Sequence, residues 1–272
     1  GELYWSEQSI SPITDDEGKI THYVSVLKDI TESLKKKEQE VEMRLARKVQ
    51  QLYYKTTVSV PGLDIAGATI PADETGGDYY DFLEVGRPGE GKIGVVVGDV
   101  SDHGIPSALL MATARALIRQ RCSAFGRIDR VVSDVNRQLA EDVKDSGRFM
   151  TLFYAEIERS NKTIRWVNAG HEPALIFDPV LDTFRDLNGG NNLALGVFED
   201  TDFKEARQEV APEQIILIAT DGIWEARNPQ GKMFGRQAIY QIIRQNSHAG
   251  AATIQNAIFA GLNRFQQGVG PA

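Results

Sequence analysis

Three aspartates, each at the end of an apolar run or in a glycine turn, constrain this chain more than any other feature. They stand in Gly76-Gly77-Asp78-Tyr79-Tyr80-Asp81-Phe82, in Val96-Val97-Gly98-Asp99-Val100 and in Ile218-Ala219-Thr220-Asp221-Gly222. Residues 93–97 read as a buried strand, and Asp99 leaves its end just before a helix that starts near Pro106. A strand-end acid before a glycine-flanked bend is a common way to aim a carboxylate at a ligand. Several such carboxylates are costly to hold together without a cation. Hard oxygen ligands suggest magnesium or manganese, and a bound ion of that kind suggests hydrolysis. Taken singly, Gly76-Gly77-Asp78 and Asp221-Gly222 also read as plain turns.

The chain changes character along its length. Residues 1–31 read as two strands, the first from Trp5 through Ile13 and the second Tyr23-Val24-Ser25-Val26-Leu27, around a turn at Asp15-Asp16-Glu17-Gly18-Lys19. A two-stranded hairpin alone is marginal in water, so it must lean on other sequence or on another copy. Asp29 or Thr31 can cap a helix, and over residues 32–54 Leu34, Val41, Leu45, Val49 and Leu52 form one narrow apolar stripe. Two readings stand for it: an amphipathic helix on a domain surface, or a two-stranded coiled coil joining a sensor to an output domain. Residues 55–272 form the main domain. Strands are expected at 64–68, 93–100, 150–157, 163–167, 174–178 and 214–219, and helices at 106–120, 129–142, 236–245 and 252–265. Strands and helices arriving in runs argue for an α+β layered sandwich over a doubly wound sheet.

The net charge of −8 disfavours nucleic acid and anionic membrane as partners. No apolar run approaches the ~20 residues of a membrane span. The single cysteine, Cys122, fits a reducing, cytoplasmic setting and reads as a buried inert thiol. Gly1 stands where a start methionine is expected, so the chain reads as part of something longer.

Six motifs in order carry a resemblance. They are Gly76-Gly77-Asp78-Tyr79-Tyr80-Asp81-Phe82, Gly98-Asp99-Val100-Ser101-Asp102-His103-Gly104, Phe149-Met150-Thr151-Leu152-Phe153-Tyr154, Asn168-Ala169-Gly170-His171-Glu172-Pro173, Leu195-Gly196 and Thr220-Asp221-Gly222. In these, residues 45–267 resemble the metal-dependent Ser/Thr protein phosphatases of the SpoIIE/RsbU type, the bacterial branch of the type-2C phosphatases. The start, from Tyr4-Trp5 to Asp29-Ile30-Thr31-Glu32, resembles the last two strands of a PAS sensor domain and its exit.

The resemblance implies a four-layer α-β-β-α sandwich with two central, mostly antiparallel sheets. It implies two Mn²⁺ or Mg²⁺ ions, with Asp99 bridging both, Asp78 and the Val100 carbonyl on one, and Asp221 on the other. It further implies attack by a metal-activated water on a phosphorylated regulator of the anti-anti-sigma type. With the linker stripe, a homodimer gated by the upstream sensor follows. Two departures stand out. Asp102 occupies a position where the family usually has glycine, and it reads as an added ligand, a loop restraint or a solvated bystander. The family's last strand, which begins Asp-Asp and supplies another ligand, does not appear before Ala272, so the Asp221 ion is expected to be weakly held. A catalytically silent scaffold that only binds a partner is the alternative these departures leave open. His103 reads as a phosphate contact or proton donor, or as a helix cap; His171 reads as fixing a turn between strands; His22 and His248 read as surface residues. Arg148 reads as a solvated arginine or a bidentate phosphate ligand. Leu27 stands where flavin-binding blue-light relatives usually place glutamine, which argues weakly against flavin.

Overall fold

Turn chemistry and alternation organise the first part of the chain. The computed structural model describes residues 4–54, 58–70, 75–85, 92–122, 126–158 and 160–268, with Asn191 described by its backbone only. It divides into two units, Gly1–Val49 and Gln50–Ala272. In the first, β1 (Ser6–Thr14) pairs antiparallel with β2 (Ile20–Asp29), from Ser6↔Asp29 to Thr14↔Ile20. The Asp15 carboxylate accepts the N–H groups of Glu17 and Lys19, and Gly18 takes φ 81°, which closes the turn the sequence predicts. Asp29 accepts the Thr31 N–H at 2.9 Å, and α1 (Thr31–Gln51) follows. Leu34, Val41, Leu45 and Val49 lie exposed along that helix, and no residue from 4 to 49 is buried.

The second unit contains β3 (Tyr79–Glu84), β4 (Lys92–Val100), α2 (Ile105–Cys122), α3 (Ile128–Val143), β5 (Met150–Glu158), β6 (Thr163–Ala169), β7 (Leu175–Asp178), β8 (Thr183–Asp186), β9 (Asn191–Asn192), β10 (Ala206–Glu209), β11 (Ile215–Leu217), α4 (Gly235–Gln245) and α5 (Ala251–Gln266). One sheet of six strands runs β10-β6-β5-β4-β3, with β9 parallel to β6 and every other pair antiparallel. The other, of three antiparallel strands, runs β11-β7-β8.

Alternation along each strand decides which face meets what. Tyr79 and Leu83 of β3, Val96 and Val100 of β4, and Leu152 and Tyr154 of β5 pack with α2 and α3. The opposite parity, Phe153 and Ala155 of β5 with Ile164 and Trp166 of β6, packs against Ala174 and Ile176 and the half-buried Ile216 and Ile218. Leu175 and Phe177, on the far face of the small sheet, pack with Ile239 and Ile243 of α4 and with Ile254, Ile258, Leu262 and Phe265 of α5. Helices thus cover one face of each sheet, and the other two faces meet.

Three expectations need correction or extension. Residues 64–68 form no strand; the stretch carries only a single bridge residue, Ala66, and Ile65 packs with the preceding Leu63 over Tyr80 and Phe82. The strand expected at 214–219 shortens to Ile215–Leu217, leaving Ala219-Thr220-Asp221 as irregular backbone. The short strands β8, β9 and β10 carry too few residues for a period to show. Residues 269–272, where the approach to a last strand would be sought, lie outside the described residues, as does Gly1.

Candidate functional site

Strand parity separates the two acids of Gly76-Gly77-Asp78-Tyr79-Tyr80-Asp81-Phe82. Asp81 shares the helix-facing side of β3 with Tyr79 and is fully buried. Arg119 of α2 donates to it through Nε at 2.7 Å and Nη2 at 2.9 Å, the Tyr79 hydroxyl donates at 3.1 Å, and Arg115 lies 3.7 Å away. This is a satisfied structural carboxylate tying α2 to the sheet. Asp78 has the parity of Tyr80 and Phe82, on the face turned away from α2.

Asp99 falls on that same face. The register pairs Tyr79 with Gly98 and Asp99 with Thr151, so Asp78, Asp99 and Thr151 occupy neighbouring strand ends. Asp221 arrives from the small sheet, four residues past the end of β11. Burial pushes the Asp99 carboxyl up to about 7, and the negative charges of Asp78 and then Asp221 add to that. Asp78 is raised chiefly by burial; a hydrogen bond from the Thr220 hydroxyl opposes the rise, and Asp221 adds to it. The three acids therefore share one electrostatic field. Among the described residues no lysine or arginine pairs with any of them, and no three or more His, Cys, Asp or Glu side chains are gathered closely enough to hold an ion. Like charges without a counter-charge repel, and a cation between them reverses the sign of that interaction.

The backbone donor is shaped for access. A Cβ on Gly77 would stand 2.7 Å from the Val100 carbonyl oxygen, so only glycine lets the loop before Asp78 pass it. Hard carboxylate and carbonyl oxygens, with the carboxylates acting on one another electrostatically, are the donor type that a divalent cation such as Mg²⁺ or Mn²⁺ takes.

His171 does more than hold a turn. Its backbone N–H donates to Asn168 Oδ1 and its carbonyl accepts from Asn168 Nδ2, both at 2.8 Å, which fixes the turn as the sequence predicts. Its ring also reaches inward: Nδ1 lies 2.9 Å from the Thr151 hydroxyl, which in turn donates to the Asp99 carbonyl at 3.4 Å. Burial lowers His171 to about 4, against the opposing pull of the nearby Ala219 backbone and of the Asp221 charge. A neutral imidazole thus stands between the Asp99 strand and the segment carrying Asp221.

The loop 101–104 is irregular. Asp102 is exposed at φ 65° and Gly104 takes φ 85°, both left-handed. A left-handed backbone at Asp102 accounts for a glycine preference there, since glycine adopts it without strain and aspartate tolerates it better than most. Arg148 Nε lies 3.7 Å from Asp102 Oδ2, and this half-buried arginine is charge-paired, where the sequence reads as a solvated arginine or a bidentate phosphate ligand. His103 is exposed in the turn ahead of α2, and His22 and His248 are exposed as expected. Cys122 is buried, donates to the Tyr154 hydroxyl at 3.3 Å, and is raised to about 11 by burial, which makes it inert.

Residues 89–270 match the family model described as Stage II sporulation protein E (SpoIIE). The chain is 28% identical over 226 residues to phosphoserine phosphatase RsbU of Bacillus subtilis, covering 83% of this chain and 65% of that protein. It is 26% identical over 187 residues to phosphoserine phosphatase RsbP of Bacillus subtilis, covering 68% of this chain and 45% of that protein. It therefore spans less than two thirds of the length of either relative. The fold is similar to that of the SiaA-PP2C domain of Pseudomonas aeruginosa, with a TM-score of 0.71 at 20% identity over 85% of this chain and 92% of that one.

Proposed function

Because the chain belongs to the Stage II sporulation protein E (SpoIIE) family, we propose that it is a metal-dependent Ser/Thr protein phosphatase. The observation that carries this reading is the field shared by Asp78, Asp99 and Asp221, in which burial and the two neighbouring charges raise Asp99 to about 7 while, among the described residues, no lysine or arginine pairs with any of the three. Asp99 would bridge two Mn²⁺ or Mg²⁺ ions, Asp78 and the Val100 carbonyl would hold one, and Asp221 the other. When bound, such ions supply Lewis acidity and acidify water for attack on a phosphate ester. The chain's own groups set the stage for that chemistry. Thr220 orients Asp78, the Thr151–His171 pair braces the Asp99 strand end, and Gly77 keeps the Val100 carbonyl approachable.

The relatives are named phosphoserine phosphatases, which supports a phosphoserine or phosphothreonine as the group cleaved; the proposed carrier is a small regulator of the anti-anti-sigma type. Residues 1–31 are the end of a PAS sensor and α1 is its link to the phosphatase, most simply in a homodimer. The test is Mn²⁺-dependent release of phosphate from p-nitrophenyl phosphate and from a phosphoserine peptide. Full activity in Asp99→Asn, or none in the wild type with either metal, would sink the reading. A silent scaffold is the second reading, favoured by the acids not being gathered into a closed site. Calorimetric titration separates the two, since a scaffold binds no Mn²⁺ and gains no thermal stability from it.

A further inference from the structure

The last turn of α1 holds the loop that carries Asp78. Gln50 is the only buried residue of α1, with 6% of its surface exposed. Its side-chain amide is spent on one residue: Nε2 donates to the Gly76 carbonyl at 2.7 Å, and Oε1 accepts the Gly76 N–H at 3.3 Å. Four residues on, the Tyr54 hydroxyl donates to the Asp78 carbonyl at 2.7 Å, while its ring stacks on Tyr80 at 5.2 Å. On its other side the same loop meets the end of β4, where the Val100 N–H approaches the Gly77 carbonyl at 3.4 Å. The segment 76–78 is thus fixed between a helix end and a strand end.

We propose that Gln50 is a positioning residue of the metal site, with Tyr54 as its partner, so that the end of α1 sets where Asp78 and the Val100 carbonyl stand relative to each other. The inference rests on the metal-dependent reading above. A glutamine serves here because an amide presents a donor and an acceptor side by side, matching the N–H and C=O of a single residue. An apolar residue of similar volume keeps the packing and leaves both Gly76 groups unpaired. An ordinary packing role predicts that any loss at this position appears as lower stability alone. A positioning role predicts that it appears in metal affinity.

The experiment compares wild type, Gln50→Leu, Tyr54→Phe and a control, Tyr80→Phe, which removes an equivalent hydroxyl bond from Tyr80 to the Gly67 carbonyl outside the site. Mn²⁺ half-saturation is read by thermal shift, and backbone exposure at residues 76–79 by hydrogen exchange without metal. Gln50→Leu is expected to raise the Mn²⁺ half-saturation at least tenfold and to speed exchange at 77–79, with Tyr54→Phe in the same direction and Tyr80→Phe unchanged. Wild-type half-saturation and exchange in Gln50→Leu, or a lowered melting temperature with half-saturation unmoved, overturns the proposal. If Gln50→Leu does not fold, Tyr54→Phe decides on the same two readouts. A wild type that binds no Mn²⁺ fails the phosphatase reading instead, and the exchange rates then decide alone whether Gln50 holds the loop.

Discussion

Asp99 carries opposite consequences for stability and function. Its carboxyl is raised to about 7 by burial and by Asp78 and Asp221, against an ordinary value of 3.8. A raised acid contributes stability that is present below its unfolded value and lost as pH rises through the folded one. Above pH 7 without metal, ionised Asp99 therefore costs stability, on the order of 1 kcal/mol once solvent screening is allowed for. Asp99→Asn should raise the metal-free melting temperature at pH 8 by about 2–4 °C while abolishing the Mn²⁺-induced shift. A variant less stable than wild type without metal would show that Asp99 is not under repulsion. His171 titrates with the other sign. Folded at about 4 and unfolded near 6.5, it contributes stability that is complete above pH 6.5 and declines as pH falls toward 4. The stability of wild type relative to His171→Gln should hold steady above pH 7 and shrink by about 2–3 kcal/mol between pH 6.5 and 4. Parallel pH profiles for the two proteins would remove His171 from the core between the sheets. Neither behaviour was legible in the sequence, because both depend on which strand ends meet. The trio of Asp78, Asp99 and Asp221 was legible, since strand-end acids stand out against apolar runs. The role of Asp81 was missed, though the signal was present: it stands three positions after Asp78, and an odd offset in a strand puts two side chains on opposite faces.

At the scale of elements, the sequence read well where a period could establish itself. β4, β5 and β6 and all four helices of the second unit lie within a few residues of expectation, because each repeats its pattern over several positions. The stretch 64–68 was expected as a strand, yet Ile65 serves with Leu63 as a cover over Tyr80 and Phe82. An apolar residue in a short run reports burial and says nothing of ladder bonding. β3 is absent from the expected strands, since its buried Asp81 breaks the apolar pattern until Arg119 is in place. The glycines of the 76–78 turn have different reasons to be glycine. Gly76 exposes its peptide to Gln50, whereas Gly77 makes room for a carbonyl. Gly77→Ala should force the loop away from Val100, because its Cβ would fall 2.7 Å from backbone oxygen that cannot swing aside. The expected result is destabilisation of about 1–3 kcal/mol in chemical denaturation together with weakened Mn²⁺ response. Wild-type behaviour in both would mean that the loop before Asp78 is not held against β4.

The two units of the molecule differ in whether they can stand alone. The second closes its own cores: helices cover one face of each sheet, and the remaining faces pack on one another. Among its described residues the first buries nothing. Trp5, Ile10, Ile13, Tyr23, Val26 and Leu27 of the hairpin and Leu34, Val41, Leu45 and Val49 of α1 are all exposed. Isolated two-stranded hairpins are marginal in water, and a helix with one apolar stripe gains its stability from whatever covers that stripe. A second copy of this chain supplies a matching stripe at no further requirement, since a two-fold interface uses the same patch on both partners. Light scattering should accordingly give a dimer for residues 1–272 and a monomer for residues 50–272, which retain Gln50. The shorter chain should keep the melting temperature of the second unit, whose clusters are internal to it. Val41→Glu with Leu45→Glu in the full chain should produce the same monomer by placing like charges in the seam. A monomer at every concentration for residues 1–272 would leave the stripe as a surface feature and assign the hairpin's apolar faces to some other partner. A dimer for residues 50–272 would instead move the interface off α1 and onto the second unit.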